Sequence, residues 1–220
     1  MRDPALTPLA RWISIVGHPL LFTPLAGLAA WVSYGGGKNA LGIVIAGLLA
    51  ALLVMGYSVR RVRSGAWAHV DASQPGERRS LNRFLLVALV VAACGGFALR
   101  WPLPVVLGLL SSATMVAAAL LAARWCKPSL HVAFAGFSAG LLYAVSGWAV
   151  AAGLVAALAI AWSRLHLRRH VAADLWCGAV IGGAAGAAFW AGLKGWRADA
   201  AAIPGRSRGS TPASVRPAPG

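Results

Sequence analysis

Apolar stretches free of charge dominate the chain, and short polar clusters interrupt them at nearly regular intervals. Runs such as 41–59 and 103–123 hold no charged residue and match the roughly 20 residues that a helix needs to cross a bilayer. The breaks carry their own signals. Gly35-Gly36-Gly37-Lys38-Asn39 reads as a turn, and Arg100-Trp101-Pro102-Leu103-Pro104 joins a charge, an interfacial aromatic and two prolines. The pattern predicts spans over 13–33, 41–59, 84–99, 103–123, 131–147, 149–163 and 172–193. Ser146-Gly147-Trp148 is the weakest break. As one helix, 131–163 would run about 50 Å, too long for one crossing, yet it is short for two. The first helix holds Pro19 and Pro24 and lacks a small-residue cleavage site, so it is expected to be retained and not removed as a signal peptide. Residues 1–10 form a short polar lead. Residues 198–220, rich in Ala, Pro, Gly, Ser and Arg, read as a disordered tail. The expected fold is an all-α polytopic transmembrane bundle of about six or seven spans, one membrane-embedded domain over 1–197.

Composition strengthens that picture. Hydrophobic residues make up 59% of the chain and charged ones 11%, with a mean hydropathy of +0.72, more apolar surface than a soluble domain of this size hides. Net charge is +15, from 20 basic and 5 acidic residues, and the bases gather in three loops. Loop 60–83 holds Arg60, Arg61, Arg63, Arg78, Arg79 and Arg83; loop 124–130 holds Arg124 and Lys127; loop 163–171 holds Arg164, Arg168 and Arg169. With seven spans these loops share one face with the N-terminus, and the positive-inside rule turns that face to the cytoplasm of a bacterial-type inner membrane. Anionic lipid head groups are the natural partners of such a face. Nucleic acid is not, because the bases lie in short loops between spans.

Acids are scarce. Asp3, Asp71, Glu77, Asp174 and Asp199 are the whole inventory, which argues against paired-carboxylate glycosidase chemistry and against a carboxylate-rich Mg²⁺ site. Asp174 is the only acid between Glu77 and Asp199. A carboxylate beside a bilayer is costly and marks a functional-site hypothesis. If the segment from His170 is helical, His170 and Asp174 share a face four residues apart. The carboxylate then holds one imidazole nitrogen and leaves the other free to react. Two further clusters lie in loops on the same side: Lys127-Pro128-Ser129-Leu130-His131, and Asp71 followed by Arg78-Arg79. Together they supply the charge-assisted donors, nucleophile and proton source that a phosphate needs. Cys94, Cys126 and Cys177 are widely separated and read as free thiols. His18 and His69 read as interfacial residues without chemistry, and the ten tryptophans mostly as interfacial anchors.

In these motifs the chain resembles the type 2 phosphatidic acid phosphatase superfamily, which shares its site with vanadium haloperoxidases. Ser163, Arg164, His170 and Asp174 match that family's third motif, SRxxxxxHxxxD, in full. Pro128-Ser129-Leu130-His131 matches its second, PSGH, with leucine for glycine. The first motif, KxxxxxxRP, has its nearest counterpart in Asp71–Arg79, with no proline after either arginine. The resemblance covers about 60–193 and looks like a divergent bacterial branch. It implies that His170 attacks phosphorus to form a phosphohistidine, that Asp174 orients His170, and that His131 protonates the leaving alkoxide. It also implies that Arg164 and Ser129 hold the phosphoryl oxygens, with Arg78 or Arg79 and Lys127 standing in for the first motif's cations. No metal or other cofactor is implied. The substrate expected is a lipid phosphate or diphosphate of the phosphatidic acid, phosphatidylglycerol phosphate or polyprenyl type. Two other readings stand beside it: a catalytically inactive relative that binds anionic head groups, and a metal protein using His166, His170 and Asp174 or a haem protein using two histidine-bearing helices.

Overall fold

The computed structural model describes residues 4–33, 40–70, 72 and 74–202, with side chains of the last helix described as far as Gly195. The glycine turn at 35–39, Asp71 and the tail from 203 onward lie outside the described residues. Every regular element among the described residues is helical: α1 Thr7–Val16, α2 Pro19–Ser33, α3 Ala40–Arg63, α4 Pro75–Ala98, α5 Leu103–Ala122, α6 Leu130–Leu141, α7 Gly147–His166 and α8 Ala172–Ala202. Five of them, α3, α4, α5, α7 and α8, are long and apolar enough to cross a membrane, and α1 with α2 makes a sixth if the bent pair is one span. Leucines, valines and Phe97 stand exposed along α3, α4 and α7, as a lipid-facing exterior requires.

The seven spans predicted from the sequence are revised at two places. The stretch 131–147 holds no helix of full spanning length. Helix α6 and its terminal 3-10 turn, Leu142–Ala144, form only a short apolar piece. At about 1.5 Å per residue α6 covers roughly 18 Å, well under the hydrocarbon thickness. The break after it is real because Ser146 caps α7, its Oγ accepting a hydrogen bond from the Ala149 N–H at 3.1 Å. The stretch 13–33 is broken at Gly17-His18, where α1 and α2 meet at 52°. Pro19 brings no N–H, and the His18 Nδ1 accepts from Leu20 N–H at 3.2 Å, capping the new helix.

Two boundaries also move. Arg60, Arg61 and Arg63 form the last turn of α3, and α4 begins at Pro75, so Arg78, Arg79 and Arg83 are helical and not part of a long loop. Glu77 sets that start. Its Oε2 accepts from Gln74 N–H at 3.0 Å and its Oε1 from Ala68 N–H at 2.7 Å, tying the loop to the helix. At the other end, α8 continues to Ala202, past the predicted tail boundary at 198.

Helix α6 is the centre of the bundle and packs against α8, α7, α2 and α5. It is apolar nearly all round, and Val132–Ala135, Phe137 and Leu141 are buried among Met115, Val116, Phe189 and Leu193. Close approach of α6 to α8 depends on two glycines one turn apart. A Cβ on Gly178 would lie 2.5 Å from the Ser129 carbonyl oxygen, and one on Gly182 would overlap the Ala133 carbonyl. Further along, the Trp190 indole donates to the Gly140 carbonyl at 2.9 Å.

Gly182→Ala therefore forces α6 away from α8. Gly183→Ala, on a face with open space, does not. The first variant is expected to lose most of its yield of monodisperse protein in detergent, and the second to match the parent. Size-exclusion chromatography of the two, side by side, checks this.

Candidate active site

Asp174 sits in the first turn of α8, where a carboxylate is favoured by the positive end of the helix. Its Oδ2 accepts from Val171 N–H at 3.2 Å, closing the helix start, and also meets His170 Nδ1 at 3.2 Å. Its Oδ1 accepts from Lys127 N–H at 3.0 Å, and its backbone carbonyl accepts from Ser129 N–H at 3.0 Å. One residue thus joins the α5–α6 loop to the α7–α8 loop. The two side chains of the His170–Asp174 pair are 7% and 9% exposed. With Nδ1 engaged by the carboxylate, Nε2 is the ring nitrogen left for chemistry. Burial, and then the Arg164 charge, lower His170 to about 4 against the opposing pull of Asp174. The ring is therefore neutral and nucleophilic near pH 7.

The α7–α8 connection aims His170. Arg168 adopts φ 55°, and Arg169 N–H returns to the Arg164 carbonyl at 3.0 Å, a helix-ending turn whose left-handed position usually takes glycine. Lys127 Nζ donates to the Arg169 carbonyl at 2.9 Å and so bridges the same two loops. Partial burial and then the Arg78 charge lower the Lys127 amine below its usual value, which puts Arg78 within electrostatic reach of the cluster. Arg79 points elsewhere, into a shallow cleft with Arg83, Leu120, Leu121, Ala123 and Arg124. Helical phase thus brings Arg78, and not Arg79, toward Lys127.

Ser129 and His131 begin α6. Ser129 occupies the N-cap with extended backbone, yet its hydroxyl makes no capping bond. The oxygen is buried and finds no hydrogen-bond partner among the described residues. His131 stands within electrostatic range of Arg164, His18, His170 and Arg169. Arg164 donates from Nη1 to Ser14 Oγ at 2.8 Å, and His131 packs edge-on against His18 with ring centroids 5.0 Å apart. Ser163, next to Arg164, is fully buried and donates to the Ile160 carbonyl at 2.8 Å, a helix-internal bond.

Ser14 and His18 were not expected to take part. Helix α1 presents Ala10 and Ser14 inward and Leu9, Trp12, Ile15 and Val16 outward. The available signal was the His18-Pro19 pair inside an apolar stretch, which marks a break and leaves a polar ring at depth. His166 meets Thr7 Oγ1 at 3.3 Å. Among the described residues no three His, Cys, Asp or Glu side chains gather as metal ligands.

An unsatisfied buried hydroxyl costs stability. Ser129→Ala is therefore expected to raise the apparent melting temperature slightly, by the equivalent of about 1 kcal/mol. A thermal-shift series in detergent without phosphate checks the sign.

No protein family, curated protein or solved structure matches this chain.

Proposed function

We propose that the chain is an integral membrane phosphatase of the type 2 phosphatidic acid phosphatase kind, releasing phosphate from a lipid phosphate or diphosphate. The carrying observation is that Asp174 holds both the His170 ring, through its carboxylate, and the Ser129 N–H, through its carbonyl, with the Ser129 hydroxyl left unpartnered. In this reading Nε2 of His170 attacks phosphorus in line, the bond to the lipid oxygen breaks, and His131 hands that oxygen a proton from its imidazolium form, which burial and then the Arg164 charge disfavour in the substrate-free protein. Water then attacks the phosphohistidine, giving its proton back to His131 and freeing phosphate. Arg164, Lys127, Arg78 and the Ser129 hydroxyl stabilise the charge gathering on the equatorial oxygens. Asp174 orients His170 and supports the cation formed on its ring. No resident metal or cofactor is needed for these steps.

Membrane lipid is the natural source of substrate, since the cluster lies where α6, α7 and α8 begin or end and a head group can arrive laterally. Phosphatidic acid, phosphatidylglycerol phosphate and polyprenyl phosphates fit this chemistry equally. The basic residues at the end of α3 and in the loop before α6 lie on the site's face, which supports a plasma-membrane protein with that face in the cytoplasm.

The test is phosphate release by purified protein in mixed micelles from a panel of these lipids, with chelator present. Parent activity with none in His170→Ala is the expected result, and equal activity in the two would reject the mechanism. Asp174→Asn is expected to lower kcat by about 10²- to 10⁴-fold. Ser129→Ala should weaken inhibition by vanadate while the fold survives.

The pH profile gives an independent check. A nucleophile at about 4 stays neutral through the range where an ordinary histidine, at 6.5, gains its proton. The acid-side fall of kcat/KM is expected near pH 4 and not near 6.5. The same shift has a stability consequence. Unfolded chain takes up a proton at His170 below 6.5 that folded chain refuses until about 4, so this residue's contribution is complete above 6.5 and declines as pH drops between those values.

A further inference from the structure

The sequence offers no sign that any two of its three cysteines meet. The fold brings two together. Cys126, in the loop after α5, and Cys177, one turn beyond Asp174 on α8, contact each other through their thiols at 2.7 Å across 51 positions of sequence. Cys94 stands apart and exposed on α4. The two facing cysteines are half-buried, so small reagents reach them. Their neighbours are the residues of the site itself. Cys126 precedes Lys127, whose N–H is bound to the Asp174 carboxylate, and Gly178 beside Cys177 touches the Ser129 carbonyl. The backbone here is already held by the Lys127, Ser129 and Arg169 hydrogen bonds. Two thiols facing each other on braced segments are poised for a cross-link.

We propose that Cys126 and Cys177 are a covalent modification site, closed to an intramolecular disulfide by small-molecule disulfides of the oxidised-glutathione class. One of the two, as thiolate, attacks the donor disulfide and expels one thiolate, leaving a mixed disulfide. The second attacks that protein sulfur and expels the other donor thiolate. Two protein S–H groups lose two electrons and two protons, and the donor leaves as two thiols. The bond staples the α5–α6 loop to the first turns of α8 and pins Lys127 and Ser129 against Asp174. The hydrogen bond that the Cys126 thiol donates to Cys177, with burial adding to it, raises Cys126 to about 11, so closure is slow at neutral pH and quickens as the pH rises. In a reducing cytoplasm the pair rests as dithiol, and oxidative conditions close it. The inference is independent of the phosphatase reading, because it concerns the thiols and not turnover.

The experiment counts thiols. Purified full-length protein in detergent is treated with oxidised glutathione at pH 8.5 or with reductant, unfolded, labelled with a maleimide and weighed intact. The reduced sample is expected to carry three labels, and the oxidised monomer one, on Cys94. Cys126→Ser and Cys177→Ser should each carry none of the cross-link, and the oxidised parent should melt about 5 °C or more above the reduced one. Three labels after oxidation, a persistent glutathione adduct, or label loss only in a disulfide-linked dimer would each overturn the proposal.

Discussion

The Asp174 carboxylate is the constraint around which the rest of the molecule is arranged. It is a buried acid in a chain with almost none, and a charge in such a place is tolerated only when its oxygens are satisfied. Both are. One takes the Lys127 N–H, the other the Val171 N–H and the His170 ring, while the carbonyl of the same residue takes Ser129 N–H. The donors come from two loops far apart in sequence, so satisfying this single group brings the start of α6 to the start of α8. Site geometry and helix packing are consequently one problem. A cost that would otherwise oppose folding becomes the tie between the pieces.

The glycines of α8 complete that arrangement from the other side. Hydrogen bonds to Asp174 bring α6 near, and Gly178 and Gly182 decide how near. With lipid as solvent the drive to associate comes from close packing and not from excluding water, so the absence of two methyl groups matters more than in a soluble bundle. The short length of α6 follows the same logic. Enclosed by α2, α5, α7 and α8, it faces protein and not lipid, and a 3-10 turn follows it before Ser146 caps the next helix.

Much of this was legible in the sequence. Charge-free runs located α3, α5 and α8, because the bilayer sets a length that composition alone reveals. The spacing of His170 and Asp174 singled out the pair, although they meet with His170 in the loop two residues before α8 and not on the shared helix face that the spacing assumed. Other features were illegible for physical reasons. Hydropathy cannot tell a short enclosed helix from one of full spanning length, so 131–147 was read as an ordinary span. Arg78 and Arg79 look alike until helical phase separates the one near Lys127 from the one in the Arg83 and Arg124 cleft. Glu77 was visible only as an acid, whereas its hydrogen bonds move the start of α4 back to Pro75. The meeting of Cys126 with Cys177 and of His18 with His131 depends on tertiary contact, which no local pattern encodes.

The links from α1 to the end of α7 also impose an order on assembly. Ser14 reaches Arg164 across 150 positions, and Thr7 reaches His166 across 159. During synthesis the first helix leaves the ribosome long before its partners exist, and the intervening spans must insert first. The cluster is thus the last part of the molecule to be completed. A nascent chain released before α7 would carry an α1 whose polar Ser14 face lacks its Arg164 partner.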